Sequence, residues 1–391
     1  MSPPTFVLAD LHLTRHTRGE VIADLVHLIE VNPGARFVFA GDLLDMSAES
    51  PPSPRPRSLE AGFGAHPSFR AALGRHLDGG GEVWVASGNH DAELGEAEAA
   101  PAIAAALGIA SDARARLRTT PWFFREGGVH IEHGHFYDPD NAPAHPLVAG
   151  EPSLGVHFVE EFIAKTGAHA YLNANDDTPL RLFLSSFRWY GSRAPYVVYR
   201  FFRTAFSALA RSGRLYRAHH ERALGSARVA AFAEAAGVDE RFIADLIALG
   251  ATPTLTSSRR TFFRLYLDRV AATVLTGVGA AALASGKSIA GGAALGAGTA
   301  LMLASWAHGH DRYGGTVPER LAAAAGVLAE ASAARLVIFG HAHREALEGA
   351  YANTGSFSFP GRAPGRPYLR IEGDAAHPRA ERHHVTRASS R

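Results

Sequence analysis

Over the first 140 residues, short apolar runs alternate with longer segments of helical spacing. The runs at 5–9, 36–40, 82–86 and 128–132 have the length and Val, Phe and Ile content of strands buried within a sheet. Between them, 19–31 and 66–77 place apolar residues three and four apart and predict amphipathic helices. This alternation predicts an open, mostly parallel sheet covered by helices. The same pattern returns after residue 320, as an Ala-rich helical stretch followed by strands at 335–339, 351–353 and 368–371. Pro51, Pro52, Pro54 and Pro56 make 49–64 an exposed loop. The polar tail 375–391 is expected to fray.

The stretch 143–318 breaks the pattern with long helical segments and few strand signals. It predicts a helical insertion into an α/β domain built from 1–142 and 319–374. Two parts of it are unusual. From Pro179 to His220 there is no Asp or Glu, but eight Arg (181, 188, 193, 200, 203, 211, 214, 217) interleave with ten aromatics. From Val270 to Ala307 the only charge is Lys287, which leaves apolar stretches of 17 and 20 residues. That length fits either a membrane hairpin or a buried helical pair. Gly292-Ala-Ala-Leu-Gly296 has the small-xxx-small spacing that lets helices approach closely.

Composition narrows the chemistry. With 391 residues, 47% of them apolar, the chain can bury a large core. The absence of Cys excludes disulfides, Cys-ligated zinc and a thiol nucleophile. A net charge of +1 gives no polyelectrolyte signal for nucleic acid. Arg supplies 37 of the 39 cations, a bias that a G+C-rich coding sequence accounts for. Met1 to Asp10 lacks the basic start and apolar run of a signal peptide, so a cytoplasmic location is expected.

The 21 His then become informative, because many lie beside carboxylates at strand ends. Five motifs stand out: Asp10-Leu-His12, Gly41-Asp42-Leu-Leu-Asp45, Gly88-Asn89-His90-Asp91, His133-Gly-His135 and Gly340-His341-Ala-His343. Open α/β sheets place their sites at the carboxyl ends of strands. Carboxylate oxygens mixed with imidazoles and no thiolate suit Mn, Fe or Zn. Two ions roughly 3.5–4 Å apart need a bridging carboxylate and serve in-line displacement at phosphorus. Each motif alone is weak, since any one could be a cap or a turn; the ordered set is strong. Asp91 reads as a structural hydrogen-bond partner, and His135 as a neighbour of the site or a solvated loop residue. Ser285-Gly286-Lys287-Ser288 ends like a phosphate-binding loop, but Ala281 stands where the first Gly is required. His219, His220, His308 and His310 lack carboxylates at ligand spacing and read as plain surface or core-edge residues.

Together the five motifs resemble the calcineurin-like metallophosphoesterases, over roughly residues 4–140 and 320–372. The resemblance implies a four-layer α/β/β/α sandwich and a dinuclear centre of two divalent ions, Mn²⁺ first, with Fe or Zn as alternatives. By position, Asp10, His12, Asp42 and His343 would hold one ion. Asp42 would bridge to a second, held by Asn89, His133 and His341. A hydroxide bridging the ions would attack phosphorus, with His90 protonating the leaving group and Asp45 orienting that imidazole; an N-cap is the alternative role for Asp45. The segment from Tyr351 to Ser356 is similar to the strand and turn that follow the last motif in this family.

The insertion bears on substrate. Arg interleaved with aromatics fits an anionic membrane surface or a lipid-linked phosphate better than a solvated face or single-stranded nucleic acid. Within the superfamily this resembles the branch that cleaves the diphosphate of UDP-2,3-diacylglucosamine, whose Arg-bearing insertions dock at the inner leaflet. On that likeness Arg181, Arg188, Arg200 and Arg203 are candidate substrate contacts, and 179–220 with 270–307 the membrane-associating segments. The chain departs from the branch in keeping His90, where Arg is frequent, and in its longer insertion. A soluble phosphomonoesterase, phosphoprotein phosphatase or phosphodiesterase, and a non-catalytic scaffold, remain alternatives; suitable residue types at all seven ligand positions speak against the scaffold.

Overall fold

The computed structural model describes residues 3–48, 59, 62–168, 179–216, 218–307, 316–361, 364–373 and 377–385. Most of the Pro-rich loop expected at 49–64 lies outside these residues, as do His308, His310, Arg217 and the side chain of Arg181.

The chain is mixed α/β and contains two mixed sheets. In the first, β1 (Thr5–Leu8), β2 (Arg36–Ala40), β3 (Glu82–Ala86) and β4 (Leu117–Thr120) run parallel in that order. Two antiparallel strands, β10 (Arg366–Glu372) and β11 (Arg379–Val385), extend it beyond β1. The second sheet joins β5 (Phe123–Glu126), β6 (Val129–Glu132), β7 (Leu336–Phe339), β9 (Tyr351–Thr354) and β8 (Glu345–Glu348) in that order. Successive strand residues point to opposite faces, and the core divides accordingly. Phe6, Leu8, Phe37, Phe39, Val83 and Val85 pack with Leu25, Ile29, Phe69, Leu73 and Leu77 of the helices Gly19–Glu30 and Pro67–Asp78. Their alternates Val7, Ala9, Val38, Ala40 and Trp84 pack with Val129, Ile131, Leu336, Ile338 and Ala352 of the second sheet. A third cluster sets Phe123, Val337, Phe339 and Tyr351 against the helices Ala218–Ala236, Glu240–Leu249 and Val317–Ser332.

The tail expected to fray over 375–391 contains β11, which pairs with β10 across seven residues. Its only buried residue is Val385, so an edge strand whose order comes from backbone pairing left no apolar alternation to read. Similarly, β4, β5 and β8 mix charged with apolar residues and were not anticipated.

The chain divides into two compact units: 1–160, 217–253 and 317–391 form the first, and 161–216 with 254–316 the second. The segment expected as one insertion over 143–318 is thus shared between them, with 217–253 joining the sheet-bearing unit. In the second unit, the helices Leu267–Ala284 and Ser288–Ala307 pair closely. A Cβ on Gly279 would lie 2.4 Å from the Leu295 nitrogen, and one on Gly291 2.7 Å from that of Leu283. The expected Gly292 and Gly296 pair faces open space instead. Gly291 and Gly298, seven residues apart, hold the contact face. Both helices are long and apolar enough to cross a membrane, with mean hydropathy 1.4 and only 22% and 17% of their apolar windows buried.

One buried cation in the first unit ties the end of the chain to its beginning. Arg366 donates to Asp24 Oδ2 at 2.7 Å and to the Phe357 and Ser358 carbonyls at 3.1 Å. Replacing it by Met would remove the guanidinium that pairs with the buried Asp24 carboxylate. Arg366→Met is therefore expected to lose about 3–5 kcal/mol in urea unfolding, and Asp24→Asn in the same chain to recover part of the loss.

Candidate metal centre

Each of the five motifs follows directly on a strand. Asp10 lies two residues past β1, Asp42 two past β2, Asn89 three past β3, His133 one past β6, and His341 two past β7. The chain reverses sharply as it leaves these strands. Of the seven described non-glycine residues with positive φ, five are Asp10, His12, Asp42, His341 and His343. Such a conformation is costly for a side-chain-bearing residue and persists where the surroundings impose it. It turns both ends of the Asp-x-His and His-x-His pairs toward one point. Glycine is needed beside them: a Cβ on Gly88 would sit 2.0 Å from Asp42 Oδ1.

Five of the seven expected ligand residues, Asp10, His12, Asp42, His133 and His343, bring ligand atoms together in the first unit; Asn89 adjoins them through His133 Nε2, and the His341 ring lies 5.1 Å from that of His133. Asp10, wholly buried, accepts the His341 N–H on Oδ2 at 2.9 Å. Its Oδ1 has no hydrogen bond, although His343 Nε2 stands 3.1 Å away and His12 Nε2 3.8 Å. The His12 and His343 Nε2 atoms are themselves 3.1 Å apart. Asp42 accepts the His90 N–H on Oδ1 and turns Oδ2 to His133 Nε2 at 3.2 Å and to His12 Nε2 at 3.8 Å. His133 donates from Nδ1 to the Ala40 carbonyl, so its Nε2 faces Asp42 Oδ2 and, at 3.2 Å, Asn89 Oδ1. Ligand atoms of Asp10, His12 and His343, and of Asp10, Asp42 and His133, lie within 4.8 Å of one another; so do those of His12, Asp42 and His90.

The arrangement fits a cation. Two ring nitrogens face each other, an orphaned buried carboxylate oxygen adjoins them, and a third imidazole nitrogen faces two oxygens. Without a cation, protons answer the same charge. Burial opposes ionisation of Asp42 and Asp10, yet the neighbouring imidazoles hold both carboxyls below their usual range. Burial likewise opposes the charge on His133, and Asp42 outweighs it, raising that imidazole to about 9.

His90 stands at one side with Nδ1 2.9 Å from Asp45 Oδ1. Ser47 Oγ lies 2.8 Å from that nitrogen and donates to the same carboxylate oxygen at 2.7 Å. Burial works against the imidazolium, but Asp45 and Asp42 raise it to about 10. Asp45 also accepts the Ala48 N–H, so it serves as a cap as well as the partner of His90. Asp91 takes the N–H groups of Gly88, Asp42 and Leu44, tying two motif loops together. His135 is buried, with ring centroids 5.3 Å from His133 and 6.4 Å from His341; burial and those imidazoles push its basicity well down. Asn353, within β9, donates to the Gly340 carbonyl, and Ser356, in the turn after it, to that of Asp10, so this strand and turn brace two loops of the centre.

The sequence reading missed Ser47, Asp138 and Asn141. Asp138 Oδ2 lies 3.1 Å from His341 Nε2, and Asn141 accepts from Asn89 Nδ2 at 3.3 Å. The only sequence signal was their position soon after the His133 motif. Of the expected Arg contacts, Arg188, Arg200 and Arg203 belong to the second unit. Arg188 and Arg203 are exposed, and Arg200 donates to the Glu161 carbonyl of its own unit.

Comparison with protein-family models finds none that matches the chain, and comparison with curated proteins finds no significant match.

The His90–Asp45 pair has a pH signature. Raised from about 6.5 in the unfolded chain, His90 contributes stability that is complete below that value and is lost as pH rises through about 10. Asp45, lowered, contributes above its ordinary range and loses that contribution on acidification. In metal-free buffer, urea midpoints of the wild type should fall between pH 6.5 and 10, and His90→Gln should flatten that fall. An equally steep fall in the variant would count against the pairing.

Proposed function

We propose that this chain is a dinuclear-metal phosphohydrolase of the metallophosphoesterase type, cleaving a phosphoester or diphosphate bond. The observation that carries the reading is Asp42 Oδ2, set between His12 Nε2 and His133 Nε2 as a shared ligand would be. Asp10, His12, Asp42 and His343 would hold one ion, and Asp42, Asn89, His133 and His341 the other. Two divalent ions, Mn²⁺ foremost, would supply a water acidified to near-neutral pKa and neutralisation of phosphoryl charge. The protein's share is positioning and proton supply. Asp45 and Ser47 engage His90 at Nδ1 and leave Nε2 to protonate the departing oxygen. With its pKa raised, the imidazole is cationic at neutral pH, as an acid must be before transfer. A cavity of about 340 Å³ opens beside His343, lined by Arg344, Glu345, Ser356 and Arg382, and offers room for the rest of a substrate. The three core clusters, helix to sheet, sheet to sheet and sheet to helix, support the four-layer sandwich that this family implies.

Turnover of a chromogenic phosphodiester with added Mn²⁺ tests the reading. Asp42→Ala should abolish it, and His90→Gln should lower kcat about 10²–10⁴-fold with metal content unchanged. Full activity in Asp42→Ala would overturn the assignment.

We further propose that the second unit attaches to an anionic bilayer, where a lipid-linked phosphate would be the substrate. This unit holds fourteen Lys and Arg against five Asp and Glu. Val274, Val278, Ile289, Leu303 and Trp306 of the hairpin are exposed, as are Phe183, Phe187, Trp189, Tyr196, Tyr199 and Phe206 among the Arg residues. Apolar area of this size is stable in lipid and a liability in water. The protein should float with phosphatidylglycerol vesicles, and the double variant Val278→Asp, Ile289→Asp should stay behind. Wild-type protein recovered wholly in the soluble fraction would favour the soluble phosphatase instead.

A further inference from the structure

We infer that Asp138 and Asn141 form a positioning device that aims two ligands, His341 and Asn89, at the same metal ion. The inference rests on the dinuclear reading and adds residues that no sequence motif marked. Asp138 is 1% exposed, in the turn that follows the short helix His135–Tyr137. Its Oδ2 meets His341 Nε2 at 3.1 Å and accepts from Asn141 Nδ2 at 2.8 Å. Its Oδ1 accepts from Arg320 Nη2 at 3.1 Å and from the Asp140 N–H at 3.3 Å. With donors on both oxygens, this carboxylate is occupied as an acceptor and is not presented to an ion.

What it does is select between equivalent-looking states of its neighbours. A carboxylate at His341 Nε2 places the proton there, so Nδ1 keeps the lone pair that a metal requires. Asn141, held by Asp138 through its amide nitrogen, presents Oδ1 to Asn89 Nδ2 at 3.3 Å. That contact turns Asn89 so that its oxygen, not its nitrogen, faces His133 Nε2 at 3.2 Å. A single buried carboxylate thus sets the tautomer of one ligand and the amide orientation of another. Arg320, from the helix Val317–Ser332, anchors it from the side away from His341. Among the described residues, the Asp138 and Asn141 side chains hydrogen-bond to none of Asp10, His12 and His343, the ligands expected for the other ion alone, so their effect should fall on one ion of the two.

Mn²⁺ titration of the full chain tests this, with calorimetry for affinity and electron paramagnetic resonance for the spin-coupled pair. Wild type should take up two ions. Asp138→Asn should weaken one of them about 10–100-fold, leave the other unchanged, and lose the coupled signal at limiting Mn²⁺. Asn141→Ala should weaken the same ion through Asn89 alone, and it carries the test if Asp138→Asn does not fold. Two unchanged affinities in both variants would overturn the inference, and equal weakening of both ions would show a general loss of packing and overturn it too. A wild-type chain that binds no Mn²⁺ would instead overturn the dinuclear reading itself, and this inference with it.

Discussion

Buried negative charge without matching positive charge is the constraint around which the first unit is organised. Asp10, Asp42, Asp45 and Asp91 are all buried at the ends of parallel strands, where an isolated carboxylate would be driven to protonate. Each meets a different answer. Asp91 takes backbone N–H groups from two loops, but burial and the nearby Asp42 charge still push it up to about 7. Asp45 has the His90 imidazolium. Asp10 and Asp42 have imidazoles whose nitrogens also face other acceptors, a surplus of lone pairs that only a proton or a metal ion relieves. The left-handed backbone at five of the candidate ligand residues belongs to the same arrangement, since no regular strand end could aim so many acceptors at one place.

The rest of the unit keeps that arrangement rigid. Strand-end loops are packed by buried apolar residues, Leu11, Leu13, Leu43, Leu44 and Phe357, and fastened to one another by polar groups: Asp91 joins the loops after β2 and β3, and Ser356 and Asn353 reach the loops after β1 and β7. Arg366 holds the Phe357 and Ser358 carbonyls from below while pairing with Asp24 in the first helix. Behind these contacts lie apolar strands whose two faces are both buried, which leaves the loops a fixed platform.

How much of this could be read in the sequence follows from how local the signal is. The candidate ligand motifs stood out because Asp10-x-His12 and His341-x-His343 carry two chemical groups within three residues, directly after an apolar run. The pairing of His90 with Asp45 was anticipated, and it is present at 2.9 Å. Asp138 was not legible: it is one Asp in a loop, and its meaning lies in His341, some two hundred residues away. The edge strand β11 was missed because backbone pairing, not burial, orders it. The division of the helical segment was equally hidden. The helix 218–236 carries almost no apolar face in its sequence, so nothing there said which core receives it; Val229, Phe232 and Ala233 join the third cluster of the sheet-bearing unit.

Charge is divided unequally between the two units. The whole chain is nearly neutral at +1, yet the second unit has nine more cations than anions. The remainder, with twenty-five Lys and Arg against thirty-three Asp and Glu, has the opposite excess. Eight of those acids, Asp10, Asp24, Asp42, Asp45, Asp91, Glu132, Asp138 and Glu221, are buried, so the excess belongs to the interior of the unit. A basic, aromatic-studded unit in the same chain would add attraction for phosphate if the phosphate is presented at an anionic surface the unit itself binds. On the proposed reading the carboxylates would serve the ions and the arginines the surface, and near-neutrality of the chain would be the sum of two opposite requirements.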